Sequence, residues 1–256
     1  MANPMTKILQ TRIPYDIAAQ RRLPGIQPLA VDDWLIRDEA FAGQMAYRDR
    51  LLAERRDAVL TMDESARAAA EELLDMVLEL AYPGAGAQVV RPDGVRVPVD
   101  RADPMGTLGR LVQEDLCILE KRGDEHVLTA AVLCFPASWM LREKAMRPLT
   151  AIHVPVAEYD EGIAARVQRL FDGVQPGRPL WRFNALWYAD PDLHQPRSVD
   201  DRRPDPGNDD PGYLRSERQV VLRLPKTRAV VFSIHTYVVA RADAPEGCDG
   251  LERVDG

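Results

Sequence analysis

The sequence is poor in the residues that build metal clusters and disulfides. It has three cysteines and four histidines in 256 residues, and no two cysteines form a Cys-x-x-Cys pair. Thiolate zinc sites and iron–sulfur clusters use closely spaced cysteines, so neither kind of site is predicted. Cys117 and Cys134 lie in apolar runs, where a cysteine is usually a small buried hydrophobe. Cys248 lies in a polar tail and is predicted to be exposed.

Two further absences restrict the class of protein. No stretch reaches the roughly 18 apolar residues of a membrane span, and no apolar run follows the polar N-terminus, so no secretory signal is predicted. We therefore expect a cytoplasmic protein that does not bind a membrane. The net charge of −7 argues against nucleic-acid binding, which needs clustered Lys and Arg.

Residues 1–100 are predicted to form an N-terminal arm and a helical extension packed on the core. The first forty residues lack periodicity and contain several prolines. Helical spacing of apolar residues predicts one helix over residues 41–60 and another over residues 66–82. Thr61, followed three residues later by Glu64, is a capping-box pattern and predicts the start of the second helix.

Residues 101–240 are predicted to form the core, and residues 241–256 a C-terminal tail. Apolar runs on both sides of a turn cluster predict a hairpin, and helices are expected after it. Three strands complete the core, and a proline-rich loop of about residues 190–215 separates the first of them from the second. The order of two strands, a helical crossover and three strands predicts an α+β fold with a PAS-like antiparallel sheet. A ligand cleft is expected between sheet and helices. The predicted strands span 116–120, 126–135, 180–188, 218–224 and 229–240, and the crossover helices 138–146 and 160–172.

Six short motifs occur in the order found in a known family. They are Gln-Glu-Asp-Leu at 113–116, Cys-Phe-Pro-Ala-Ser-Trp at 134–139, Ile-His-Val-Pro-Val at 152–156, Arg-Phe-Asn at 182–184, Glu-Arg-Gln at 217–219 and Arg-Leu-Pro at 223–225. Through them the sequence resembles the haem-dependent oxidative N-demethylase α-subunit family over roughly residues 23–237. No single motif is diagnostic, but six in one order argue against chance.

The resemblance implies a PAS domain with haem b held between sheet and helices by a histidine. The activity it implies is oxidation of dimethylamine to methylamine and formaldehyde with O2. Electrons would come from NADPH through a reductase subunit carrying FMN and a 2Fe–2S centre, and a folate-binding subunit with tetrahydrofolate would capture the formaldehyde. Ala185 and His235 stand where the family usually has tryptophan and arginine, which affects substrate identity more than haem binding.

Each histidine is a candidate for the iron ligand. His153 precedes the second crossover helix in an apolar stretch, and an imidazole there suits haem iron, although residue chemistry alone favours a buried core histidine. The resemblance makes His153 the leading candidate for the metal ligand. His235, on an alternating strand, is the rival ligand or a distal polar group. His126 and His194 are predicted to be exposed.

The other candidate residues come from the late strands and the second motif. A carboxylate can pair with a substrate ammonium, and hydrogen-bond donors can polarise bound O2. Since strand side chains alternate, only about half of them can face one pocket. The predicted catalytic residues are Glu217, Arg223 and Tyr237; the predicted haem-contacting residues are Phe135, Trp139, Arg182 and His235, with Lys144 or Arg147 as partners of the haem propionates.

Two other functions stay open beside oxidative N-demethylation of a small secondary amine. A haem-PAS gas or redox sensor would bind O2 without turnover, but nothing in the sequence adds a kinase, cyclase or DNA-binding output. A structural homologue without a cofactor is the third possibility. The ordered motifs favour the enzyme.

Overall fold

The computed structural model describes residues 7–19, 25–153, 161–198, 201, 211–248 and 250–254, without the side chains of residues 153, 161–164 and 254. The Val-Pro-Val part of the third motif and much of the proline-rich loop lie outside these residues. So does the imidazole of His153.

Seven α-helices lie in the described residues. The predicted second and last helices are confirmed, whereas the first is divided into α1 and the short α2, and its last predicted residue, Leu60, begins a strand. None of the described helices is long and apolar enough to cross a membrane. They are α1 (Phe41–Glu54), α2 (Arg56–Val59), α3 (Arg67–Ala81), α4 (Pro104–Gly109), α5 (Leu141–Lys144), α6 (Leu149–His153) and α7 (Glu161–Gly173).

The strands of the described residues form one large sheet and one small hairpin. They are β1 (Gln27–Pro28), β2 (Leu60–Met62), β3 (Gln88–Val90), β4 (Arg96–Pro98), β5 (Asp115–Arg122), β6 (Glu125–Val132), β7 (Leu180–Tyr188), β8 (Tyr213–Arg223), β9 (Val230–Ala240) and β10 (Arg253–Val254). The large sheet has the order β1-β7-β8-β9-β5-β6-β2, and β10 also pairs with β7. Every pair in that order is antiparallel, so the chain has the α+β class that the sequence predicts.

The start of α3 differs from the prediction. Thr61 lies in β2, which pairs with β6, and therefore does not cap the helix. Instead, Asp63 caps the 3-10 turn Glu64–Ala66 that leads into α3: its carboxylate accepts a hydrogen bond from the Ser65 backbone N–H at 3.1 Å, and aspartate is a favoured N-cap residue. Because Thr61 pairs with Ala131 of β6, seventy residues away, the capping residue is Asp63, two positions after Thr61. Local sequence does not show this pairing.

Different layers cover the two faces of the sheet. Cys117, Val221 and Phe232 lie in register with Leu180 and pack against residues of α5, α6 and α7; we call this side the crossover face. The opposite side, which carries Leu116 and its register partners, packs against the N-terminal helices and α4. We call it the N-terminal face.

Two elements extend further than the sequence predicts. Strand β8 begins at Tyr213 and not at Arg218, because its polar first half pairs with β7 and β9 on both sides. The tail folds back so that β10 pairs with β7, and the Trp187 indole donates to the Cys248 carbonyl at 2.9 Å. Cys248 is therefore buried, and its predicted exposure was wrong.

Candidate functional site

Four polar side chains interrupt the crossover face where β7 and β8 pair. Arg182 lies opposite Gln219, and Asn184 lies opposite Glu217. Directly paired and alternate residues of an antiparallel ladder share a face, so the four form one group, which we call the polar row. All four are half-buried, whereas the face next to them is apolar. This is a polar patch at the edge of a covered layer.

Neutral amides orient the Glu217 carboxylate. Asn184 Nδ2 and Gln219 Nε2 each donate to Glu217 Oε2 at 3.3 Å, and Asn184 Oδ1 accepts from the Glu217 backbone N–H at 3.1 Å. Arg182 in turn donates to Gln219 Oε1 at 2.8 Å. The Glu217 side chain keeps 14% of its surface exposed. An oriented and partly exposed carboxylate can accept a hydrogen bond from a cationic ligand.

Thr236 lies directly across from Glu217 on β9. Its hydroxyl is buried and has no hydrogen-bond partner among the described residues. Buried polar atoms almost always have a partner. The Thr236 hydroxyl near Glu217 is thus available to a ligand. Such an unpaired polar atom is more typical of a binding site than of a packed core.

The chain around His153 is anchored by a lysine. Lys144 donates to the carbonyl of Ile152, the last residue before His153, at 3.0 Å. The same ammonium lies 4.8 Å from the centroid of the Trp139 ring, and burial lowers the pKa of Lys144. Trp139 and Ile152 both pack against the core of the crossover face. The structure thus brings three predicted residues, Trp139, Lys144 and His153, into one segment.

The structure separates His235 from Glu217 by the thickness of the sheet. His235 pairs with Arg218, not with Glu217, and therefore lies on the N-terminal face. Its Nδ1 and Nε2 lie 3.1 Å from carboxylate oxygens of Glu114 and Asp38. Burial disfavours the imidazolium, but these hydrogen bonds outweigh burial and raise the pKa of His235 to about 9. Both ring nitrogens are engaged, so His235 as placed here offers no nitrogen to iron.

Tyr237 also lies on the N-terminal face, opposite Ser216. Its ring packs between Tyr15, at 5.8 Å between centroids, and His235, at 4.7 Å. Burial raises the pKa of the Tyr237 hydroxyl. The contacts of this side chain fasten the N-terminal arm, and none of them reaches the polar row.

Arg223 shares the face of Glu217 but lies at the far end of β8. Six residues along a strand span about 20 Å. Its guanidinium donates to the carbonyl of Val174 at 2.7 Å, to that of Arg228 at 2.6 Å, and to that of Phe171. Cations stabilise the carbonyl end of a helix, so these contacts give Arg223 the role of fastening the end of α7 to the sheet.

Phe135 packs against the N-terminal helices. Its ring centroid lies 5.7 Å from that of Tyr47 and 5.4 Å from the Arg48 guanidinium. Its backbone N–H donates to Asp115 at 2.8 Å. The second motif is therefore divided between two layers: Phe135 belongs to the N-terminal layer and Trp139 to the crossover layer.

The predicted exposure of His126 and His194 was wrong, because both are buried. Gln168 of α7 covers His126, with its Nε2 3.0 Å from His126 Nδ1. His194 Nδ1 lies 2.7 Å from the Cys134 carbonyl. Distant segments fold over both positions, and no local pattern shows that they do. The sequence did not point to Arg215, a buried arginine beside Glu217, because the predicted strand began at residue 218 and left Arg215 in the loop.

Residues 25–246 match the model of the family described as haem-dependent oxidative N-demethylase, alpha subunit-like. The chain belongs to this family. The resemblance carried by the six motifs is thereby confirmed. The family name indicates a haem-dependent oxidoreductase, and an α-subunit-like member implies a system of several components.

Proposed function

We propose that the chain is the haem-binding subunit of an oxidative N-demethylase that acts on a small secondary amine such as dimethylamine. Membership of the family supports the haem dependence and the type of reaction. The observation that carries the substrate class is the Glu217 carboxylate, which amide groups hold partly exposed on the crossover face.

The side chains in the segment that contains His153, and Arg182 of the polar row, are of the types that bind a haem. The His153 imidazole would bind the iron, apolar groups such as Trp139 and Ile152 would contact the porphyrin, and Lys144 of this segment and Arg182 of the polar row would neutralise propionates. The order β7-β8-β9-β5-β6 of the five long strands supports the PAS-like interpretation, with haem b between the sheet and the crossover helices. When bound, the haem would supply the iron at which O2 is activated.

Glu217 is the proposed substrate-binding residue. A secondary amine is protonated near neutral pH, and a carboxylate pairs with its N–H donors. Two neighbouring amides occupy Glu217 Oε2, which leaves Oε1 for the ammonium group. The same oxygen can accept the proton that the amine loses before its nitrogen lone pair is available.

The remaining components are assigned from the family. Electrons would come from NADPH through a reductase with FMN and a 2Fe–2S centre, and a folate-binding subunit carrying tetrahydrofolate would take up the formaldehyde. Dependence on NADPH suits a cytoplasmic reaction.

An absorption spectrum tests the haem assignment. The protein expressed with haem should show a Soret band, and His153→Ala should abolish or shift it because the proposed iron ligand is lost. His194→Gln is the matched control: it alters another buried histidine, bonded to a backbone carbonyl, and should leave the band in place. A wild-type protein that binds no haem contradicts the proposal.

Turnover tests the reaction. With a suitable reductase, dimethylamine should stimulate NADPH oxidation and release formaldehyde. A protein that binds haem and O2 but oxidises none of several secondary amines would instead be a sensor.

A further inference from the structure

We propose that Arg215 is a positioning residue that orients Glu217 and joins it to the two chain segments beside the polar row. The inference rests on the proposed function, because the role of Glu217 in amine binding is part of that function. No motif pointed to Arg215, and its importance follows from its contacts.

The guanidinium of Arg215 is buried and is held mainly by backbone carbonyls. Nη1 donates to Leu193 at 3.1 Å and to Asp192 at 3.4 Å, and Nη2 donates to Phe135 at 2.7 Å. The side chain is 2% exposed. A buried cation surrounded by neutral acceptors still favours a nearby anion.

Glu217 is the carboxylate that lies nearest to this cation in the described residues. Its Oε1 is 3.7 Å from Arg215 Nη2, and the two residues share a face because they are two positions apart on β8. The amides of Asn184 and Gln219 bind the other oxygen, Oε2. Arg215 therefore lies beside the oxygen that is left for the substrate.

The same guanidinium joins two chain segments to β8. One contains Phe135 and leads to α5, and the other contains Asp192 and Leu193. These segments also bond to each other, since Gln195 donates to Pro136 at 3.0 Å and accepts from Ser138 at 3.1 Å. Arg215 fixes both segments to the strand that carries Glu217. A planar guanidinium can hold several acceptors at once, whereas a lysine ammonium acts as a single point charge.

Arg218 offers a matched control on the same strand. It is also a buried arginine, and it donates to the carbonyls of Trp34 at 2.9 Å and Asp33 at 2.7 Å. It lies on the N-terminal face, since it pairs with His235. Replacing either arginine by lysine removes hydrogen bonds to backbone carbonyls, but only the Arg215 side chain shares the face of Glu217 and lies near its carboxylate.

The experiment compares Arg215→Lys with Arg218→Lys in the haem-loaded protein, with dimethylamine as the probe. Binding is followed by the amine-induced change in the absorption spectrum, and KM, kcat and Tm are measured in parallel. We expect both variants to keep the Soret band and to lose Tm to a similar extent. Only Arg215→Lys should raise the Kd and KM for dimethylamine, by about tenfold, with a smaller change in kcat.

A double-mutant cycle tests whether Arg215 acts through Glu217. In a Glu217→Gln background, Arg215→Lys should have little further effect on the amine Kd, because coupled residues are not additive. If Arg215→Lys does not fold, Arg215→Gln, which keeps two N–H donors, replaces it in the same measurements.

Equal amine affinities of the Arg215 and Arg218 variants would overturn the inference, as would full additivity in the cycle. A wild-type protein without a Soret band or without an amine response would overturn the proposed function itself. The two failures are therefore distinguishable.

Discussion

Two groups of polar residues in contact with the same sheet differ in how completely their hydrogen-bonding groups are satisfied. Around the start of β5, Arg48, Asp115, Asp38, Glu114 and His235 form what we call the buried network, with ion pairs of 2.6–3.1 Å and almost no exposed surface. In the polar row, the Glu217 carboxylate has amide partners at 3.3 Å and a cation at 3.7 Å, and it stays partly exposed.

The comparison indicates that the two groups have different roles. Short and dry ion pairs are costly to break, because each partner left alone is an uncompensated buried charge. Longer contacts at a partly exposed carboxylate can be rearranged when a ligand binds. We therefore expect substitutions in the buried network to affect mainly stability, and substitutions in the polar row to affect mainly binding.

The largest effect on stability is expected for Asp115→Ala. Its carboxylate lies 2.6 Å from Arg48 and accepts from the backbone N–H groups of Cys134 and Phe135 at 2.7 and 2.8 Å. Leaving Arg48 buried without its partner should lower the free energy of unfolding by about 3–5 kcal/mol, measured by urea denaturation. Asp75→Ala is the control. Its ion pair with Arg101 is exposed and should contribute at most about 1 kcal/mol.

A smaller and pH-dependent effect is expected at His235. Its pKa is raised from 6.5 to about 9 in the fold, so its contribution to stability is complete below pH 6.5 and is lost as the pH rises through 9. The shift corresponds to about 3 kcal/mol. His235→Gln should therefore flatten the fall in unfolding free energy between these pH values.

The control for that measurement is His126→Gln. Burial lowers the pKa of His126, so this histidine is neutral throughout the alkaline range, and its replacement should leave the alkaline fall unchanged. Denaturation curves recorded from pH 6 to 10 that show the same slope for wild type and His235→Gln would contradict the assignment.

The smallest effect on stability is expected for Glu217→Gln. The substitution is isosteric, and Arg215 keeps its three carbonyl acceptors, so the free energy of unfolding should change by about 1 kcal/mol or less. The KM for dimethylamine should nevertheless rise about tenfold or more, because the ammonium loses its anionic partner. A stability loss as large as that of Asp115→Ala, with an unchanged KM, would contradict the proposed roles of the two groups.

Local patterns sufficed for the elements and the family. Apolar residues at helical spacing placed α3 and α7, the turn cluster placed the hairpin of β5 and β6, and alternation placed β7 and β9. Each of these signals lies within a short window, where backbone geometry and side-chain periodicity are directly linked. The six motifs identified the family because their order along the chain needs no knowledge of the fold.

The composition of the site depended on tertiary contacts. Side chains alternate along a strand, so Glu217 and Tyr237 each lie on one face of the sheet. The register between β8 and β9 places them on opposite faces. The partners of His235 are Asp38 and Glu114, far away in sequence, and no spacing rule connects them.

The sequence by itself determined the class of fold and the family, and it predicted Glu217 and His153 as candidate site residues. Only the tertiary structure decided that His235, Tyr237, Arg223 and Phe135 have partners away from the polar row, and that Arg215 lies beside Glu217. The physical reason is that periodicity and motif order are properties of neighbouring residues. Burial, ion pairing and the shared face of a sheet arise only when distant segments meet.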